Sequence, residues 1–165
     1  MSLENNNAPA DGKARYTKST FSMLYSVAIP IAASPATIWS LLTNAADFPR
    51  WNSTVTKIEG RIADGEKIKL RARIAPDRVF SLNVSDVVPE SRMVWSDGFA
   101  PMFRGVRTYT LTPLEDGRIE FAMSEVFSGV MLPMIKGSLP DFAPAFETYA
   151  ADLKRAAEQQ QRCAA

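Results

Sequence analysis

The sequence predicts an α+β protein, with a curved antiparallel β-sheet wrapped around one long C-terminal helix and two short helices after the first strand. Two patterns carry that expectation. Between residues 55 and 127, apolar side chains recur at every second position in short runs separated by Gly, Pro and Asp turns, the period of half-buried strands. Near the end of the chain Phe142, Phe146, Tyr149, Leu153 and Ala157 recur at spacings of four, three, four and four, which is one face of a helix.

Composition narrows the function classes. The 165 residues suit one domain, which at this size buries roughly 70% of its unfolded surface and needs no disulfide or metal. Lys and Arg number 19 against 18 Asp and Glu, so the basic excess of a nucleic-acid binder is missing. The alternating Lys67, Lys69, Arg71 and Arg73 read as the solvent face of a strand. There is no histidine, which removes the commonest metal ligand and general base. A zinc site, a Ser-His-Asp triad and a cofactor are therefore not expected. Cys163 is alone and has no intramolecular partner. The N-terminus lacks a signal-peptide pattern, and no apolar stretch reaches the ~20 residues that span a bilayer. A cytoplasmic monomer or homodimer without stable membrane insertion is the expectation.

Residues 1–14, with Asn5-Asn6-Asn7, Pro9, Asp11 and Gly12, read as a disordered arm, 15–161 as the folded domain and 162–165 as a tail. Tyr16 to Ile31 reads as one long strand with Phe21, Met23, Tyr25, Val27 and Ile29 on one face. Ser34-Pro35 starts a helix, because serine caps free N–H groups and proline fits the first helical position. Ile38, Leu41 and Leu42 keep helical spacing, and Asn44 is a left-handed stop. A second short helix covers Asp47 to Trp51 with Asp47 as its cap. The following strands are Val55–Ile62, Lys67–Ile74 ended by Pro76-Asp77, Val79–Val88, and Arg92–Ser96 after a Pro89-Glu90 turn.

Arg104–Thr112 and Arg118–Phe127 form a hairpin whose register follows from burial. A three-residue Glu115-Asp116-Gly117 loop sets Leu114 opposite Arg118, with Gly117 in the left-handed position. Leu111 then faces Phe121, Tyr109 faces Met123, and Arg107 faces Glu125. A two-residue turn would set Thr108 and Thr110 against the apolar arm, which buries less. A short helix follows at Leu132–Lys136, then a break at Gly137 and the main helix to about Gln160, with Pro144 kinking it or marking its start.

Four stretches are recognisable together. Ser34-Pro35-Ala36-Thr37-Ile38-Trp39-Ser40-Leu41-Leu42-Thr43-Asn44 with Asp47-Phe48-Pro49-Arg50-Trp51-Asn52 resembles the opening of the polyketide cyclase/dehydrase branch of the START-like (SRPBCC) superfamily. Val88-Pro89-Glu90-Ser91-Arg92-Met93-Val94-Trp95 resembles its central hairpin, and Glu125-Val126-Phe127-Ser128-Gly129 the end of its last strand. Phe146-Glu147 to Lys154-Arg155-Ala156-Ala157-Glu158 resembles its final helix, so the likeness runs from about Thr20 to Gln160. The resemblance implies a helix-grip fold with a seven-stranded sheet. It implies no single reaction, since members bind lipids, sterols, polyketides or hormones, and some are cyclases or partner-binding domains.

A sheet gripping a helix leaves a gap lined by its concave face. On the register above that face contributes Phe80, Leu82, Trp95, Tyr109, Met123 and Phe127. The helical side adds Met131, Met134, Ile135, Leu139, Phe142 and Phe146, with methionines that adapt to varied ligands. These residues either line a pocket or fill a core. Arg107 and Glu125 fall at inward positions, where an unpaired charge is very costly, so they pair across the strands. The pair either anchors a ligand carbonyl or carboxylate or is structural. Arg71 and Arg73 approach a ligand only if strand parity is reversed. Trp51 and Asn52 plug the sheet's end, and Phe99, Pro101, Met102 and Phe103 form a lid or a packed bulge. Three functions stay open: a binder of a small hydrophobic, lipid- or polyketide-like molecule, a cyclase or dehydratase using Glu125, Arg107 and Tyr109, or a protein-interaction module.

Overall fold

The computed structural model describes residues 9–165, and the first eight residues of the expected N-terminal arm lie outside that range. Eight strands form one antiparallel sheet: β1 (Arg15–Lys18), β2 (Ser22–Ile31), β3 (Val55–Glu59), β4 (Lys67–Ala72), β5 (Ala75–Val88), β6 (Arg92–Phe99), β7 (Phe103–Pro113) and β8 (Ile119–Ser128). Their order is β1-β2-β8-β7-β6-β5-β4-β3, so the meander from β3 to β8 returns to pair with β2. The helices are α1 (Pro35–Thr43), α2 (Phe48–Trp51), α3 (Leu132–Ile135) and α4 (Ala143–Ala164), with 3-10 turns at Ala45–Asp47 and Lys136–Ser138.

The expected seven strands become eight because Tyr16–Ile31 is two strands. The chain reverses through Ser19-Thr20-Phe21, where Ser19 N–H donates to Ser22 O at 2.7 Å and Lys18 faces Met23. Met23, Tyr25 and Val27 point into the core as their alternation requires, while Phe21 stays exposed on the turn. Ahead of β1, Gly12 N–H donates to Ala28 O at 2.8 Å. Pro76-Asp77 does not end a strand. Ala75 pairs with Ala72 across an Arg73-Ile74 turn, and Pro76 sits in a bulge of β5 where the ladder with β4 shifts register. A bulge asks no N–H of proline. Lys67, Lys69, Arg71 and Arg73 are exposed while Ile68 and Leu70 are buried, as the alternation requires.

The β7–β8 register is the expected one: Leu111 faces Phe121, Tyr109 faces Met123, and Arg107 faces Glu125. Leu114 N–H donates to Arg118 O at 2.9 Å, and Gly117 takes a left-handed φ of 85°.

Ser34 caps α1 by accepting Thr37 N–H, and Pro35 occupies the first turn. Two expected helix signals fail. Asn44 ends α1 in an extended conformation (φ −93°), its N–H not needed for a left-handed cap because the 3-10 turn follows at once. Asp47 makes no cap bond, since its carboxylate is taken by Arg50 at 2.6 Å. Gly137 lies within a 3-10 turn, and the break expected there falls just after it, where Leu139 is extended and α4 starts only at Ala143. Pro144 marks the first turn of α4, which runs on to Ala164 and so takes in most of the expected tail.

The amphipathic α4 buries Phe146, Tyr149, Ala150, Leu153 and Ala157 against the sheet, chiefly β2. Its polar face is stitched to neighbouring backbone. Lys154 Nζ donates to Pro30 O, Glu158 Oε1 accepts Ala32 N–H, and Gln161 Oε1 accepts Ser34 N–H. Asp152 is buried and accepts both Ser53 N–H (2.8 Å) and Ser53 Oγ (2.6 Å). These ties hold the long helix against the sheet, while its N-terminal turns stand over a gap. Among the described residues no helix is long and apolar enough to cross a membrane.

Candidate functional site

The gap is a cavity of about 390 Å³ between the strands β4 to β8 and the start of α4. Apolar walls come from Leu70, Phe80, Leu82, Met123, Phe127 and Phe142. The first five face the cavity because each strand presents alternate residues to its concave side, and Phe142 comes from the start of α4. An aromatic layer closes it on the inside: Trp95 and Tyr109 meet edge to face at 5.0 Å, and Tyr149 stacks on Phe121 at 6.2 Å.

Arg107 and Glu125 both open on this space. Arg107 donates from Nε at 3.1 Å and from Nη2 at 2.5 Å, both to Oε2 of Glu125. The side chains are 21% and 14% exposed. Their pairing offsets the cost of burial, which would be several kcal/mol for either charge alone. The guanidinium also lies over the Phe146 ring at 5.1 Å. Burial works to lower the Arg107 guanidinium, but the Glu125 charge beside it more than offsets this and holds it above its ordinary value. Burial pushes the Tyr109 and Tyr149 hydroxyls up, so both stay neutral.

Nine of the residues expected from sequence reach the cavity: Phe80, Leu82, Trp95, Arg107, Met123 and Glu125, with Phe127, Phe142 and Phe146. Five do not. Tyr109 is 1% exposed and buried beneath Trp95, so it cannot hand a proton to a molecule in the cavity. Met131, Met134, Ile135 and Leu139 lie on the β8–α4 connection, which does not line the cavity. Met134 is 78% exposed, and Leu139 borders a shallow groove with Tyr16, Met23 and Tyr25. Arg71 points outward, whereas Arg73 reaches the mouth from the β4–β5 turn. Trp51 and Asn52 are buried away from the cavity, Trp51 edge to face with Tyr149 at 5.8 Å. Phe99 to Phe103 is a hairpin turn pinned by Val130 N–H to Pro101 O and Met131 N–H to Met102 O.

Sequence reasoning missed several lining residues, among them Leu70, Ala145 and Tyr149, and of these Asp97 brings a charge to the interior wall. Oδ1 accepts Gly105 N–H at 3.2 Å, and burial raises its carboxyl above the ordinary value against the pull of Arg78 and Arg107. Its signal was parity: Asp97 lies two residues beyond Trp95 and shares its face once β6 is carried past Ser96.

A family model for polyketide cyclase/dehydrase and lipid transport proteins matches residues 23–159. The chain belongs to that family. Its helix-grip architecture recurs in solved structures of low identity. A START superfamily protein from Mycobacterium smegmatis superimposes with a TM-score of 0.56 at 18% identity, covering 86% of this chain and 99% of that one. A conserved protein of unknown function from Enterococcus faecalis gives a TM-score of 0.63 at 18% identity, with 92% and 80% covered. A hypothetical protein from Helicobacter pylori gives 0.63 at 11% identity, with 81% and 86% covered. These likenesses show the fold alone. No curated protein matches. In this member of the polyketide cyclase/dehydrase family the side chains give the cavity an ion pair and a carboxyl.

Proposed function

We propose that this chain binds one small hydrophobic molecule, lipid- or polyketide-like with a polar end, between its sheet and α4. The observation that carries the reading is a cavity of about 390 Å³ with apolar walls, into which a paired Arg107 and Glu125 open. Ligand sites have this size and character, with a few convergent polar groups in an apolar shell. A core that merely needed filling would gain more from apolar residues at those two positions.

The test is native mass spectrometry of the protein as purified from cells. The expected result is a bound species of a few hundred daltons, released on denaturation. Ala145→Trp should exclude it by filling the mouth. Retention of the same species by that variant would overturn the reading.

A second reading, turnover by cyclisation or dehydration, is favoured by Asp97. Its carboxyl, raised by burial, faces the same space as Glu125 and can donate a proton in its protonated form. On that reading Asp97→Asn and Glu125→Gln abolish conversion of a bound polyketide while leaving its binding measurable.

A further inference from the structure

The polar wall of the cavity is unbalanced. Three ionisable side chains reach it from adjacent strands: Asp97 on β6, Arg107 on β7 and Glu125 on β8. Arg73 and Asp141 stand exposed at the mouth, one of each sign. Inside, the single guanidinium commits Nε and Nη2 to one oxygen of Glu125, so its charge is already matched. Glu125 Oε1 has no hydrogen bond among the described residues, and Asp97 uses Oδ1 on Gly105 and leaves Oδ2 free.

The other Arg107 N–H groups belong to a cation that Glu125 already neutralises, Thr148 on α4 adds one exposed hydroxyl, and the remaining side-chain donors are committed or turned away. Ser53 Oγ donates to Asp152, and Thr54 Oγ1 donates to Asn52 Oδ1. Trp95 Nε1 and the Tyr109 and Tyr149 hydroxyls are fully buried, off the cavity surface. The wall therefore offers carboxylate oxygens without an unmatched positive charge. Asp97 adds one negative charge when ionised and none when protonated, so in neither state does the interior become cationic. A carboxylate entering here would lose its hydration without a counter-charge.

From this we infer that the site takes an apolar molecule whose polar end donates hydrogen bonds, a hydroxyl or N–H group, and rejects a carboxylate of the same shape. The inference rests on the ligand-site reading above and narrows its ligand class. Fatty acids and other apolar acids are excluded by charge, whereas phenols, alcohols and hydroxylated rings are admitted.

The experiment compares 2-naphthol with 2-naphthoate, two fused-ring probes differing at the polar end, by isothermal titration calorimetry at pH 7. The alcohol should bind the wild-type protein at least about tenfold more tightly, the size of one hydrogen bond to a charged acceptor. Asp97→Asn should shrink that preference to within about threefold, since it removes an acceptor and a charge together. Glu125→Gln leaves Arg107 unmatched, and the preference should reverse toward 2-naphthoate. Circular dichroism melts of both variants establish that they are folded, and Asp97→Asn serves if Glu125→Gln is not. Equal or tighter binding of 2-naphthoate by the wild-type protein would overturn the inference alone. Failure of both probes to bind, with or without the Ala145→Trp block, would overturn it together with the ligand-site reading.

Discussion

The Asp97 carboxylate lies against the α-carbon of Gly105 on the neighbouring strand, where an added Cβ would meet Oδ1 at 2.7 Å. The two residues face each other in the β6–β7 ladder, and the absence of a side chain at 105 is what lets the carboxylate accept that residue's N–H. Gly105→Ala should push the carboxylate aside and break the bond. The expected loss is about 1 kcal/mol, the typical net worth of such a bond, or roughly 2–4 °C in Tm for a chain of this length. In an Asp97→Ala background the same substitution should cost nothing, because the atom it collides with is gone. A cycle of thermal melts on the four proteins checks this coupling.

Arg107 and Glu125 should behave as a unit. Arg107→Met leaves Glu125, opposite Tyr25 on β2, without a charge partner, and removal of one member of a buried pair costs about 3–5 kcal/mol. The double replacement Arg107→Met with Glu125→Leu should regain most of that loss. Urea unfolding at pH 7 measures both. A double variant as unstable as the single one would mean that the pair supports the fold by something other than charge compensation.

That pair was legible in the sequence because two constraints converged on it. The Glu115-Asp116-Gly117 loop and the one-sided apolar face of β8 left one register, and that register fixed every cross-strand neighbour from Leu111 to Arg107. The helix α4 was legible for the same kind of reason, a long unbroken period. What could not be read depended on where elements end or dock. Alternation continues through Ser19-Thr20-Phe21 without Gly or Pro, so nothing local marks the hairpin between β1 and β2. The apolar residues of 131–139 have the right composition for a pocket wall, but only tertiary docking places their segment beyond it. Asp97 escaped because β6 runs three residues past its last buried position, Ser96, through Asp97-Gly98-Phe99, where no buried apolar residue marks the strand.

Asp97 should make stability depend on pH in the opposite sense to most carboxylates. Burial raises its folded-state value above the ordinary 3.8, with Gly105 N–H and the Arg78 and Arg107 charges only partly opposing. A raised carboxyl contributes stability that is fully present below its unfolded value and is lost as pH rises through its folded value. Asp97→Asn keeps an acceptor for Gly105 and removes that loss. At pH 7 the variant should melt about 1–3 °C above the parent, and the gap should close as pH falls toward 3.8. Melting curves from about pH 3.5 to about 7.5 in half-unit steps, roughly the span over which a raised carboxyl titrates, decide it. A gap that widens on acidification would contradict the burial cause. The same substitution is expected to weaken alcohol binding, so the carboxyl trades stability for recognition.

The mouth of the cavity depends on a tie that is remote from the polar wall. Asp152 on α4 holds Ser53 by both its N–H and its hydroxyl, and Ser53, Thr54 and Val55 form one side of the entrance. Arg155 supports the carboxylate at 3.1 Å from its other oxygen, and its own side chain is largely exposed. Asp152→Ala removes both bonds to Ser53 and should destabilise the protein by about 2 kcal/mol, one charged acceptor's worth of hydrogen bonding. The more specific consequence is local. Amide exchange at Ser53 should rise by more than the global loss accounts for, because its N–H is left without an acceptor, while amides of the β7–β8 ladder should follow the global change alone. Arg155→Ala, which leaves the Ser53 bonds in place, should change exchange at Ser53 little. If the two variants opened the entrance equally, the tie would run through the arginine and not through the bonds to Ser53.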